Sequence, residues 1–509
     1  MPGISRRDFL KMVPIAPLFA LVRPLGGALR LSGRPVSPNI IILVFDAWSA
    51  DHLSLHGYAR NTMPNLEGFA DRAVVYHRHY SAGTFTVPGT ASLLTGLHPW
   101  SHRAFALGGE IIASHLDHQL FHLLTPSHHT VGFSQNEYAD LLLAQTGGDL
   151  DRRLPVGSFS LHPVLAYSAG ILQHDPQVAH ASLENGIFQR ESGADGSLYF
   201  GPLRRLMQWR ATKSLDAEYA ATYPRGLPAS PDLFRMQDVV NGTIDILGSL
   251  PQPCLAYLHL YPPHGEYRPK GKFNRSFEDG WHPPQKPAHP LIQNPKEIEN
   301  QENQRWKYDQ YTASWDAELA RLFDFLKISG LLDTSYVIIT SDHGEMFERG
   351  VIGHYTPLIY DALVHVPLII SRPDQTSRID VRTPTSGVDL LPTVASLAGL
   401  AAPTWAEGRL LPAFGGTADQ DRSIYVVDAK TNSAFAKLTR FSMSLTKDEH
   451  RLTYYQYPDS DYARFELYHL LDDPHELRDL YSEGSALAIH LRDELLQKLV
   501  EANRPLAGE

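Results

Sequence analysis

Residues 39–45, Asn-Ile-Ile-Ile-Leu-Val-Phe, form an uninterrupted apolar run that ends in Asp46. A run without polar alternation predicts a strand buried on both faces, as in a parallel sheet covered by helices. The pattern returns at 255–260, 336–340 and 366–370. Between these runs the period changes. Over 308–327, Tyr311, Trp315, Leu319, Leu322 and Leu326 fall at three- and four-residue steps, which predicts a helix with one apolar stripe. Strands alternating with helices predict an α/β fold: a predominantly parallel central sheet sandwiched by helices. The site is then expected at the carboxyl ends of the strands.

Three stretches break this rhythm. Residues 150–235 carry few clean strand signals and read as an insertion or a set of lid helices. Residues 262–297 are dense in Pro, His, Gly and Lys, which predicts a long surface loop of the functional kind. After Pro412 the texture shortens: 423–427, 434–445 and 452–455 predict antiparallel strands, and 486–502 a closing helix. The expected layout is a signal and linker over 1–35, an α/β catalytic domain over 36–412 and a C-terminal subdomain over 413–509.

The N-terminus reads Ser5-Arg-Arg-Asp-Phe-Leu-Lys11, followed by an apolar stretch from 12 to 22. Eleven residues are too few to cross a bilayer, which needs about 20. A positive start before a short apolar core suits a signal peptide, and the paired arginines resemble the twin-arginine export signal. The expected partner is that export machinery, and the expected location is outside the cytoplasm, periplasmic or extracellular. Without a clear Ala-x-Ala site, cleavage and retention as an anchor both stay open. No other apolar run reaches spanning length, so no multi-span membrane region is expected.

Composition narrows the field. Apolar residues make up 43% and charged residues 20% of the 509, as in ordinary globular proteins. With 45 basic and 56 acidic residues the net charge is −11, which argues against gripping a nucleic-acid backbone. A single cysteine, Cys254, excludes an intrachain disulfide and any zinc cluster built on cysteines.

Two predicted strands end in ligand-type residues: Asp46, and Ser341-Asp342-His343-Gly344-Glu345. Carboxylates and an imidazole gathered at one sheet edge suit a divalent cation. Taken singly, Asp46 reads equally as a helix cap and Asp342-His343 as a turn; together they favour metal. Thr86-Val-Pro-Gly-Thr-Ala-Ser-Leu-Leu-Thr-Gly96 predicts a helix with Pro88 in its first turn, Gly96 as its stop and Thr86 just before its N-terminus. Free N–H groups and the positive dipole end there favour an anion. An ordinary threonine cap is the alternative.

In this order, Asp46, Pro64-Asn65-Leu66, the 86–96 segment and Ser341–Glu345 resemble the sulfatases of the alkaline-phosphatase superfamily. Pro263-His264, Tyr308-Asp309, Gly353-His354, Val366-Pro367-Leu368, Asp389-Leu-Leu-Pro-Thr393 and the tail 466–476 extend the resemblance from about 38 to about 500. The resemblance implies that Asp46, Asp342 and His343 hold a divalent metal with Thr86, the covalent nucleophile. It makes His264 the leaving-group acid and puts His354 on the anionic group. Gln135 and Asn136, after 130–133, fall near a further substrate position, and Thr90 takes the slot of the motif arginine.

The chain also departs from the family. Formylglycine arises from Cys or Ser in Cys/Ser-x-Pro-x-Arg, whereas these slots read Thr86-Val-Pro-Gly-Thr90, so no formylglycine is expected. Threonine has one hydroxyl, and its adduct must be cleared by water or an acceptor alcohol, as in phosphatases and phosphoglycerol or phosphoethanolamine transferases of the superfamily. Ala47 follows Asp46 where the family has a second Asp. Zinc, manganese and magnesium therefore look more natural than calcium. Asp51 reads as a cap of the following segment. The expected activity is metal-dependent hydrolysis of phosphate or sulfate esters of small molecules, glycans or lipids. A transferase, and an inactive binding protein on the same scaffold, are the alternatives.

Overall fold

The computed structural model describes residues 37–161, 234–269 and 271–504, with scattered positions between 206 and 224. The expected export segment lies outside the described residues, and so does most of 150–235. The described residues fall in one compact unit that starts at Ser37.

The strands, in chain order, are β1 (Asn39–Phe45), β2 (Val74–Tyr76), β3 (His79–Tyr80), β4 (His129–Ser134), β5 (Arg152–Arg153), β6 (Cys254–Leu260) and β7 (Ser335–Thr340). They continue with β8 (Leu368–Ser371), β9 (Ile379–Val381), β10 (Thr385–Ser386), β11 (Ile424–Asp428), β12 (Phe441–Lys447), β13 (His450–Tyr457) and β14 (Tyr462–His469). Eight of them form the central sheet in the order β5-β4-β6-β1-β7-β8-β2-β9. β1 lies between β6 and β7 and is parallel to both. It is buried along its whole length because its two faces feed different cores. Ile41, Leu43 and Phe45 pack with Trp315, Leu319 and Leu322, while Ile40, Ile42 and Val44 pack with Leu93, Leu94 and Leu390. Each such side chain contributes about 1.5–3 kcal/mol of burial.

The 366–370 run differs from expectation in direction. β8 is antiparallel to β7 and to β2. The chain leaves β7 at Thr340 on the carboxyl edge and spends 341–367 there. It then re-enters the sheet from that same edge, which obliges the reversed direction.

The helices that position the site are α1 (Pro64–Ala70), α2 (Thr86–Thr95), α3 (Glu137–Gln145), α4 (Met236–Ser249), α5 (Ile298–Ile328), α6 (Leu390–Leu397) and α7 (Ala486–Asn503). α2 ends where Gly96 adopts φ +66°, a left-handed stop that glycine takes without a Cβ clash. α5 starts ten residues before position 308, where the periodicity places its beginning. Polar contacts hold that first part: Gln301 donates to Lys296 O and accepts from Gly350 N, and Arg305 pairs with Glu348. Residues 261–297 form neither helix nor strand among the described positions, as expected for the long loop.

Ser160 and Phe234 pair in an isolated antiparallel bridge. The C-terminal sheet has four antiparallel strands, β11-β12-β13-β14. The strand expected from 434 begins at Phe441, because the Asn432 side chain accepts from Thr439 N and Arg440 N and keeps 434–440 in a loop. β14 covers part of the expected tail motif and is a strand. No helix among the described residues is long and apolar enough to cross a membrane.

Candidate active site

The strand ends converge on one edge of the sheet. Asp46 follows β1, Asp342 and His343 follow β7, and all three are 0% exposed. One ligand atom from each lies within 4.8 Å of the others. Asp46 Oδ2 accepts from Asn136 Nδ2 at 2.6 Å, which leaves Oδ1 without a hydrogen-bond partner. Asp342 Oδ1 accepts from His343 N (3.0 Å) and Ala47 N (3.4 Å), which leaves Oδ2 unpartnered. His343 Nδ1 donates to Gly344 O at 2.8 Å and so turns the lone pair of Nε2 inward. That Nε2 lies 3.5 Å from both orphaned carboxylate oxygens.

Thr86 completes the cradle. It is the first residue of α2 rather than the residue before it, and the N-cap is Phe85. Its hydroxyl is therefore spared from capping. Oγ1 stands 3.3 Å from His343 Nε2 and accepts from Asn136 Nδ2 at 3.3 Å. Two orphaned carboxylate oxygens, an imidazole lone pair and a hydroxyl, all buried, fit a divalent cation. Burying two carboxylates side by side without an opposing charge costs several kcal/mol per ion.

The protonation pattern follows from the neighbours. Burial pushes the Asp46 carboxyl up, but His264, His259 and His343 outweigh it and hold it well below the ordinary range. The Asp342 carboxyl is raised, by burial first and then by Asp46. Burial lowers the His343 imidazole, which favours its neutral, lone-pair form.

Asn136 sits at the centre of the site. Its Oδ1 accepts from Tyr138 N as the cap of α3, so its amide can turn only Nδ2 toward Asp46 and Thr86. Gln135 instead accepts from Tyr261 N and steadies the loop after β6. His264 and His354 lie together, their ring centroids 5.0 Å apart, and His354 is 4.3 Å from His343. His354 Nδ1 faces Glu345 Oε1 at 3.0 Å, and Tyr267 donates to Glu345 Oε2 at 2.9 Å. Burial raises the Glu345 carboxyl, but His354, His264 and His343 hold it below the ordinary range. Thr90 is fully buried one turn after Thr86, with the Tyr257 hydroxyl as its neighbour.

Sequence reading missed His259. It lies at the end of β6, opposite Val44 in register, 3.3 Å from Asp46 Oδ2 and 3.6 Å from Asp342 Oδ2. Burial lowers its imidazole, yet Asp342 and Asp46 raise it overall. A lone histidine inside the apolar run 255–260 is the signal that could have found it. Asp51 departs from expectation too. Ser49 caps the short turn at 50–52, and the Asp51 carboxylate faces His365 Nδ1 at 3.3 Å. Asp51, Asp361 and His365 form a second close group, in which Asp361 already pairs with Arg451 at 2.5 Å.

The family model described as Sulfatase matches residues 38–140 and 209–400. The chain belongs to the sulfatase family. A second model, N-sulphoglucosamine sulphohydrolase, C-terminal, matches 353–504 of this sulfatase-family chain. Arylsulfatase K of Xenopus laevis is 29% identical over 174 residues, 33% of this chain and 32% of that protein. The chain thus matches about a third of the length of that relative. Choline-sulfatase of Rhizobium meliloti is 23% identical over 418 residues, covering 74% of this chain and 72% of that one. Among solved structures, the phosphonate monoester hydrolase of Agrobacterium radiobacter superposes with a TM-score of 0.66 at 20% identity. It covers 91% of this chain and 96% of the other. The shared fold is that of a sulfatase-like protein of the alkaline-phosphatase superfamily.

Proposed function

We propose that the protein hydrolyses sulfate or phosphate esters with Thr86 as nucleophile. One observation carries this reading: the Thr86 hydroxyl, free of capping duty, stands with two orphaned carboxylate oxygens, of Asp46 and Asp342, and with the His343 Nε2 that it meets at 3.3 Å. A divalent cation, which Asp46, Asp342 and His343 would hold, would let the hydroxyl give up its proton near neutral pH and would balance charge on the equatorial oxygens during in-line displacement. Thr86 Oγ, its proton passed to solvent, attacks the sulfur or phosphorus, and the ester oxygen departs in line. His264 gives that oxygen its proton. The resulting threonine ester is then cleared by water: His264 takes a proton from the water, its oxygen attacks, the bond to Thr86 Oγ breaks, and that oxygen regains a proton from solvent. Asn136 Nδ2 and His354 hold the non-bridging oxygens, with His354 kept in orientation by Glu345. Thr90, one turn on, lines the same end of α2. Threonine with no second hydroxyl makes water, rather than elimination, the route to product. The substrate is a small-molecule, glycan or lipid ester met outside the cytoplasm, where the paired-arginine segment would carry the folded protein.

The test is a paired assay on an aryl sulfate, an aryl phosphate and a phosphodiester, with zinc, manganese, magnesium and calcium each supplied. Thr86→Ala is expected to lower turnover by about four orders of magnitude or more, while the bound cation is retained. Full activity in Thr86→Ala would overturn the reading.

A further inference from the structure

The two segments that bring Thr86 and His354 to the site are tied to the C-terminal sheet at one place. Asp428 closes β11 and is 2% exposed. Its Oδ2 accepts from Thr84 Oγ1 at 2.6 Å, two residues before Thr86. Lys430 Nζ lies 3.0 Å from that same oxygen and donates to Thr356 O at 2.7 Å, two residues after His354. The ammonium also stands 4.5 Å from the Tyr355 ring centre and 5.2 Å from that of Phe85. Val427 N donates to Ala82 O at 3.0 Å, which extends the contact along the 82–86 segment.

A shielded ammonium is costly unless it is fully engaged. This one has a carboxylate, a carbonyl and two aromatic faces. Its partners divide between the segment that ends in Thr86 and the segment that starts at His354. By contrast Asp46, Asp342 and His343 stand on strand ends and are held by Asn136, Ala47 and Gly344. The geometry points to Asp428 and Lys430 as a positioning pair that fixes Thr86 relative to His354. The C-terminal sheet thereby takes part in the reaction without touching substrate. This rests on the roles given above to Thr86 and His354.

Hydrogen exchange of the full chain, with turnover and manganese binding measured on the same samples, tests the pair. In Lys430→Met and Asp428→Asn, peptides covering 82–86 and 354–357 are expected to lose protection together. kcat falls about 10²-fold, the scale of a 1 Å misplacement, while KM and manganese affinity stay unchanged. Lys430→Arg, which keeps the charge and the ring contacts, is expected to restore kcat. Unchanged protection in either segment, or a kcat loss matched by an equal loss of manganese affinity, would overturn the pair. If the wild-type protein hydrolyses no ester, the hydrolase reading falls by itself. Joint loss of protection would then still uphold the coupling of the two segments.

Discussion

At Asp46 the two carboxylate oxygens are divided between tasks. Oδ2 takes the Asn136 amide and faces His259, and Oδ1 is left open toward His343. Such outer contacts orient a ligand oxygen, and their loss typically weakens metal binding about 10–100-fold. His259→Leu keeps the volume of the buried ring and removes its nitrogen. Titration calorimetry with manganese or zinc is expected to show a loss on that scale in a protein that still melts cooperatively. Unchanged affinity would remove His259 from the site. Asp46, Thr86, Asp342 and His343 were legible in the sequence because each stands at the end of an apolar run or at the start of a helix. Asn136 was legible only as a region. Its decisive feature, an amide turned by the Tyr138 N–H, belongs to the folded cap.

Helix α2 owes its place to a residue that looks neutral in the sequence. A Cβ built on Gly89 would lie 2.2 Å from the Asp342 carbonyl oxygen, so only glycine lets the first turn of the helix approach the β7 end this closely. Gly89→Ala is expected to cost about 1–3 kcal/mol of stability, as overpacking does. It should also lower turnover more than thermal stability predicts, because the shift separates Thr86 from Asp342. Melting temperature and kcat measured together check this; a variant with both unchanged would show the backbone to be free to move. The need for glycine here comes from a strand more than two hundred positions away, so no local pattern announces it. The same limit explains the other differences. The direction of β8 depends on where 341–367 runs, and β14 reads Tyr-Ala-Arg-Phe-Glu-Leu-Tyr-His, too polar at its exposed start to stand out. Elements with two apolar faces, β1 above all, were plain because burial on both sides leaves no other composition available.

Over the whole molecule, buried histidines set how the fold meets acid. His79, His98 and His102 are 1%, 7% and 0% exposed. Burial pushes their imidazoles down to about 3, about 4 and about 3. His102 shows why: its Nδ1 accepts from Ala104 N, and its Nε2 faces Ser92 Oγ at 3.0 Å, so a second proton would break the first bond. In the unfolded chain these rings take up protons below about pH 6.5. The folded chain does not, so each costs ~1.4 kcal/mol of stability per pH unit as the pH falls from there. Above that pH they add no dependence. Asp316 and Glu476 act in the opposite sense. Burial raises their carboxyls to about 6 and about 7, so the folded state takes up their protons first. Asp140 and Asp342, with the His259 and His365 rings, are raised as well, but these groups are outnumbered by the lowered histidines, which also include His56, His77, His115, His128 and His343. Below the ordinary carboxylate range Asp46 and Glu345, both held low, add to the loss. The melting temperature is therefore expected to fall between pH 6.5 and 4.5 and to fall more steeply below. A thermal-shift series across that range, at constant ionic strength and with the divalent cation removed so that its release does not contribute, decides the matter. A flat or rising midpoint would mean that the buried rings already carry protons at neutral pH.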